Sequence, residues 1–319
     1  MTSPTTVRRG GWRGRGGRAS HAATQHNRVF FMMLAAPGII WLALLFIVPF
    51  YDVLAIGAGH LNLLTGQPIA VYNPAQWSAA NLAGTWHTIF GVSAFLLPLI
   101  WRTIWYTAAA AVLCLLIGYP AAYFVARFAG RRKALFLVLL IAPFWISYMM
   151  RMLAWIDLLQ TNGYVNKALG SLGLPSQIDW LGGRWYTVVL GLVYGYIPYL
   201  ILVLYAGLDR IDGSLLEAGR DLGLSRARTF VKVTLPLSRQ PILTGMLITV
   251  LPMLGDYFTN QLLSGTTGTT MIGNQIDTQL GTQGFEGQGA VLSLLLLLVL
   301  VVPMVYYVRA TARSAREAA

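Results

Sequence analysis

The sequence predicts an all-α polytopic membrane protein with six transmembrane helices. Three observations predict it. Of 319 residues, 56% are hydrophobic and 11% charged, and mean hydropathy is +0.61, which does not suit a soluble domain with one core. Six apolar stretches reach the ~20 residues that cross a bilayer's hydrocarbon. Finally, 19 of the 23 Lys and Arg fall in the N-terminal tail, residues 127–133, residues 209–239 and the C-terminus, leaving Arg102, Arg151, Lys167 and Arg184 elsewhere. Positive residues mark cytoplasmic connections, so alternate loops and both termini are expected inside.

Residues 1–28 hold six Arg and no acid. They are expected to form a disordered basic cytoplasmic tail. Residues 29–56 contain the first span, with Pro37 and Pro49 tolerated as membrane helices tolerate them. Residues 57–100 lack Lys and Arg and read as an external loop, with an interfacial segment expected over 90–100. Residues 101–309 form the core. Its spans are expected at 103–126, 134–159, 185–208, 240–263 and 289–308. Turn signals fill 160–184, and a Gly/Thr-rich loop runs to 288. A basic cytoplasmic tail, 310–319, follows. Trp101, Trp105, Trp155, Trp185, Tyr306 and Tyr307 sit where an interfacial aromatic belt belongs.

The net charge of +12 raises nucleic-acid binding as a reading. Its distribution assigns the charge to topology instead, so membrane lipid and no nucleic acid is the expectation. The lone Cys114 excludes an internal disulfide. The four His do not cluster, so no metal site and no catalytic centre is expected.

A charge within a span is expensive and is a functional candidate by default. Arg151, Asp157 and Asp256 qualify, and Tyr257 and Asn260 extend the polar neighbourhood of Asp256. For Arg151 the alternative is snorkelling to the headgroups. For Asp157 it is pairing or capping, and for Asp256 a structural hydrogen bond. Gly191 and Gly195 form a GxxxG that lets helices approach closely.

Between two spans lies residues 214–236, SLLEAGRDLGLSRARTFVKVTLP, too charged to cross. Ser214 and Glu217 have capping-box spacing, which starts a helix at Ser214. Leu215, Ala218, Gly219 and Leu222 share a face, and Gly223 is placed to end the helix in the left-handed region. Ser225 caps a second short helix, which Leu235-Pro236 is expected to stop. Helices shorter than about 12 residues are marginal alone, so this stretch must pack on something.

Glu217-Ala218-Gly219, then Gly223, then Val233-x-Leu235-Pro236 resembles the EAA motif of ABC importer permeases. Gly219 and Val233 depart conservatively from its Ala and Ile. Residues 142–174 and 254–280 resemble the corresponding segments of spermidine/putrescine-type permeases, in particular the first of the paired subunits. The resemblance covers about residues 100–309. It implies the type I ABC importer permease (MetI-like) fold. It also implies that Glu217, Ala218, Gly219, Gly223, Val233, Leu235 and Pro236 couple to an ATPase.

The implied assembly has this chain, a second homologous permease, two cytoplasmic ATP-binding subunits and an external substrate-binding protein in the inner membrane. No G-x4-G-K-[ST] loop occurs here. ATP and Mg would therefore be bound by the partner ATPase, and this chain would be a non-catalytic translocation subunit with no cofactor of its own. Polyamine is the implied cargo, with an opine, iron or phosphonate as other possibilities in the class. An ion-coupled secondary transporter working alone is the competing class, and a membrane enzyme a third. Neither accounts for the EAA-like spacing.

Overall fold

A computed structural model describes residues 19–62, 68–91 and 95–317. The chain divides into two units, residues 1–53 and residues 54–319. The first unit holds most of helix α1 (Ala19–Gly57). That helix begins before the expected tail boundary at residue 28; the rest of the expected tail lies outside the described residues. Its side chains from Phe30 to Phe50 are largely exposed and apolar, as suits a helix solvated by lipid or a neighbouring helix.

The second unit starts with a two-residue antiparallel pairing, β1 (His60–Leu61) with β2 (Pro68–Ile69). Helix α2 (Ala80–Phe90) follows. Asn81 Nδ2 donates to the Gly57 and Gly59 carbonyls at 3.1 and 3.2 Å, tying α2 to the chain before the pairing. Where an interfacial segment is expected, over 90–100, α2 ends at Phe90 and Leu96 begins α3 (Leu96–Arg127).

α3 packs along α7 (Trp185–Asp209) to make the core. Ala110, Cys114, Gly118, Ala122 and Ala126 recur every four residues and are all buried. Small residues at that spacing form a groove that accepts a helix closely. Leu192, Leu200, Ile201, Leu204 and Leu208 fill it from α7. This four-residue stripe, not singled out from the sequence, is what seats α7.

α11 (Arg239–Leu254) packs against both α7 and α3. At Gly207 a Cβ would sit 2.1 Å from Pro241 Cγ. Gly207→Ala should therefore force the helices apart, at an overpacking cost of about 1–3 kcal/mol. The thermal unfolding midpoint in detergent should fall, and adding Pro241→Ala should recover part of it.

Two expected spans are broken. The third comprises α4 (Lys133–Ile141), a 3₁₀ turn at Ala142–Trp145 and α5 (Tyr148–Leu159), with a bend of 89° between Gly130–Trp145 and Tyr148–Ser171. Pro143 starts the turn, and Ile146 and Ser147 are extended, so the helical ladder cannot continue. The fifth comprises α11 and the six-residue α12 (Phe258–Leu263), separated by Gly255, Asp256 and Tyr257. Among the described residues four helices are long and apolar enough to cross, and two bent pairs, Gly130–Trp145 with Tyr148–Ser171 and Arg226–Leu237 with Arg239–Leu254, raise this to six.

Two regions expected as loops contain helices, α6 (Tyr164–Ser171) and α13 (Ile272–Leu280). The last helix, α14, runs Glu286–Glu317.

Candidate functional site

The stretch between α7 and α11 is a run of short helices. α8 (Gly213–Asp221) is capped by Asp212, whose carboxylate accepts from the Ser214 N–H at 3.0 Å. The capping box expected at Ser214 is thus corrected: Ser214 is already inside the helix, because Asp212 two residues upstream is the better-placed acceptor.

That N–H holds the Asp212 carboxyl below its ordinary value. A lowered folded pKa stabilises the cap above the unfolded value of about 3.9 and loses that contribution as pH falls through the folded one. The protection factors of the amides at the start of α8, relative to their intrinsic exchange, should fall on acidification through that range. Asp212→Asn should remove the pH dependence and keep the cap.

Gly223 has φ +86° and ends α8. Gly223 N–H donates to Arg220 O at 2.8 Å and Leu224 N–H to Gly219 O at 3.1 Å. This is the left-handed closure expected of it. Ser225 caps α9 (Arg226–Thr229), accepting from Arg228 N–H at 3.4 Å.

Pro236 does not stop the chain's helical course. A π-turn over Phe230–Thr234 leads into α10 (Leu235–Leu237), where Pro236 occupies the first turn and its missing N–H is not needed. The π-turn absorbs the register change that the proline demands.

The shared face is also corrected. Leu216 and Gly219 point inward, and a Cβ on Gly219 would touch Thr229 and Val233 at 3.6 Å. Leu215 and Leu222 are 49% and 84% exposed, and Ala218 and Glu217 are exposed beside them. Val233 is half-buried, while Leu235 and Pro236 are exposed. The stretch therefore presents an apolar face edged by Glu217, with its own packing needs met on the other side. A groove of 620 Å³ lies beside it, lined by Gly207, Arg210, Asp212, Leu215, Leu237 and Pro241.

The second cluster lies at the far end of α11. Asp256 is 7% exposed, the one buried carboxylate among the described residues. Its Oδ1 accepts from Thr259 N–H at 2.9 Å, capping α12. Its Oδ2 accepts from Thr259 Oγ1 at 2.7 Å, Tyr196 OH at 3.0 Å and Tyr148 OH at 3.3 Å. The Tyr148 and Thr259 hydroxyls also share a hydrogen bond. Each hydroxyl has one proton, so with the Tyr148–Thr259 contact made, three donors at a time stabilise a carboxylate that burial would otherwise penalise.

The GxxxG makes this convergence possible. A Cβ on Gly195 would lie 2.9 Å from the Tyr148 ring, and one on Gly191 would lie 2.4–2.5 Å from Leu263 and Thr259. Both glycines are requirements of close approach, so α5 and α12 can reach α7. A cleft of 380 Å³ opens onto the carboxylate, lined by Tyr148, Tyr196, Tyr199, Asp256, Tyr257 and Phe258.

Of the residues singled out in the spans, Asp256 and Tyr257 line this cleft, and Tyr257 stacks on Phe258 at 4.2 Å. The others do not line it. Asp157 is exposed and accepts from Gln160 Nε2 at 3.1 Å, an end-of-helix contact. Asn260 is buried with its Nδ2 donating to Asn274 Oδ1 at 2.9 Å, which ties α12 to α13.

Arg151 does not snorkel. It is 7% exposed, with its guanidinium over Phe144, Tyr148 and Tyr194. Tyr148, Tyr196 and Thr259 were missed from sequence. Their signal was a hydroxyl inside an apolar span, which must find a partner there.

Residues 115–316 match the family described as binding-protein-dependent transport system inner membrane component. The chain belongs to that family. It is a membrane translocation subunit with the MetI-like permease fold, not an enzyme. It is 35% identical over 205 residues to the spermidine/putrescine transport system permease protein PotB of Escherichia coli, covering 63% of this chain and 73% of the relative. It is 30% identical over 223 residues to the inner membrane ABC transporter permease protein YdcU of the same species, covering 66% and 71%. A permease chain of a crystallised bacterial alginate ABC transporter, solved with a pentasaccharide-bound periplasmic protein, superposes with a TM-score of 0.68. It covers 93% of this chain and 98% of that one at 17% identity, which speaks to the fold alone.

Proposed function

We propose that this permease is the translocation subunit of an ATP-driven importer of polyamines such as spermidine or putrescine. The observation that carries the cargo is Asp256: a buried carboxylate at the head of a cleft walled by four tyrosines and a phenylalanine. A carboxylate pairs with an ammonium, and aromatic faces attract it by cation–π interaction. The similarity to permeases named for spermidine and putrescine supports the same cargo. Asp256 and Tyr257 form the translocation path in this reading. Arg151, Asp157 and Asn260 support it from outside the cleft.

The partners are a second homologous permease, two cytoplasmic ATP-binding subunits that hold ATP and Mg, and an external substrate-binding protein. The chain is multi-pass in the inner membrane with both termini cytoplasmic. Leu215, Ala218 and Leu222, with Glu217, form the face that seats on an ATP-binding subunit. Gly219, Gly223, Val233, Leu235 and Pro236 shape the stretch behind it.

Movement has a direct route inward. Thr229, Thr234 and Ser238 are buried at the base of the stretch, and Ser238 shares a 2.8 Å hydrogen bond with Tyr119 of α3. α11 then runs from Arg239 to Leu254, two residues short of Asp256. At 1.5 Å per residue it is a rod of about 24 Å, stiff enough to carry a tilt from the cytoplasmic end to the carboxylate. ATP binding would move α8, and α11 would open and close the cleft in alternating access.

The test is uptake of labelled spermidine by proteoliposomes holding the permease pair and the ATP-binding subunits, with binding protein added outside. Uptake that needs internal ATP supports the reading. Uptake by this chain alone, driven by an ion gradient, would overturn it in favour of a secondary transporter.

A further inference from the structure

Arg151 has no carboxylate partner among the described residues, and its Nε and Nη1 make no hydrogen bond. Its guanidinium carbon lies 4.1 Å from the Phe144 ring centroid, 5.2 Å from Tyr148 and 5.8 Å from Tyr194. Ring faces attract the charge but leave N–H donors unsatisfied. Burying a guanidinium on those terms is costly, and an orphaned buried donor requires an explanation.

An acceptor lies at the hydroxyl end of one of these rings. The Tyr148 ring that flanks Arg151 carries the hydroxyl that donates to Asp256 at 3.3 Å. Both charges also sit beside breaks in their spans. Arg151 N–H donates to Ser147 O at 3.1 Å in the first turn of α5, and Asp256 separates α11 from α12. Short segments next to breaks can shift without rebuilding a whole span.

We propose that Arg151 is a tethered cation that competes with the cargo for Asp256. In the arrangement described here the guanidinium is withdrawn into the Phe144, Tyr148 and Tyr194 cage, and Asp256 faces the cleft. When the path turns over, Arg151 takes the carboxylate with its open donors and the cargo ammonium is released. The carboxylate then gains a positive partner as cargo leaves. Arg151 acts through Asp256, so it is a positioning residue. It admits cargo whose positive charge can displace an arginine. This inference rests on the cationic-cargo reading above.

The test uses the full complex with spermidine as probe. Arg151→Met keeps bulk in the cage and removes the charge. KM should fall several-fold while kcat falls about tenfold or more, because cargo binds unopposed and is no longer displaced. Arg151→Lys should restore much of kcat. An unchanged or raised KM in Arg151→Met overturns the proposal, as does a Lys variant no better than Met.

A second measurement needs no cargo. Asp256→Asn, Arg151→Met and the double variant are compared by thermal unfolding of the complex held with a non-hydrolysable ATP analogue. A double variant less destabilised than its two singles combined supports the pair, and additivity overturns it. If the wild-type complex takes up no spermidine, the polyamine reading falls, and the unfolding comparison still decides the pair.

Discussion

Asp256→Asn should reduce spermidine uptake by about ten- to a hundredfold. A hydrogen bond to a charged group is worth about 1.5–3 kcal/mol, and 1.4 kcal/mol is a factor of ten. The amide keeps the size of the carboxylate, so the hydroxyls of Tyr148, Tyr196 and Thr259 can re-orient around it. The complex should still assemble, and the loss should appear in transport of the cation.

Asp256→Ala should do more. It leaves three hydroxyls and the Thr259 N–H without their acceptor, and each buried orphan costs about 1–3 kcal/mol. That variant should lower the thermal midpoint as well as uptake. The contrast separates the charge, which in the proposed reading acts on cargo, from the acceptor, which holds α5, α7 and α12 together. Equal uptake by wild type and Asp256→Asn in side-by-side initial rates would sink the cargo role.

The second large effect is expected at the exposed face of α8. Leu222→Asp together with Glu217→Arg should abolish ATP-driven uptake and co-purification of the ATP-binding subunits. Leu222 is 84% exposed, and substitutions at such surface positions usually change stability by less than about 0.5 kcal/mol. The isolated permease should therefore keep its midpoint, so lost transport would report a lost partner. Gly223→Val offers a second line of attack. Nothing lies within 4 Å of a Cβ there, yet φ is +86°. The penalty is thus in the backbone, about 1–2 kcal/mol for a residue other than glycine. Gly223→Asn, which tolerates that conformation, should retain most coupling. Undiminished ATPase co-purification with the double surface variant would show that the partner seats elsewhere.

Much of the stretch over residues 214–236 was legible because its signals are local. Gly223 turns left-handed and Ser225 caps α9, each using groups only a few residues away. Even so, the first cap moved from Ser214 to Asp212, since two acceptors competed and spacing alone did not rank them. Pro236 was read as a stop from its missing N–H. The structure places it in a first turn, with a π-turn before it taking up the slack.

The sequence by itself determined the class of the protein. It set the number and approximate place of the spans, their alternation of charge, and the polar stretch between the fourth and fifth. These depend on composition and period within one segment, and each segment's transfer into lipid depends chiefly on its own residues. The tertiary structure decided which polar groups in the membrane meet. Hydropathy treated residues 134–159 and 240–263 as continuous spans, and the structure breaks both, at 146–147 and 255–257. Asp256 finds Tyr148 and Tyr196 from segments far away in the chain, and it does so because Gly191 and Gly195 let helices approach. Asn260 turns to Asn274, and Arg151 is enclosed by rings from α5, α7 and the 3₁₀ turn before α5. A side chain's partner in hydrocarbon is fixed by which helices can come close, and that is a property of pairs of surfaces that no single stretch of sequence contains.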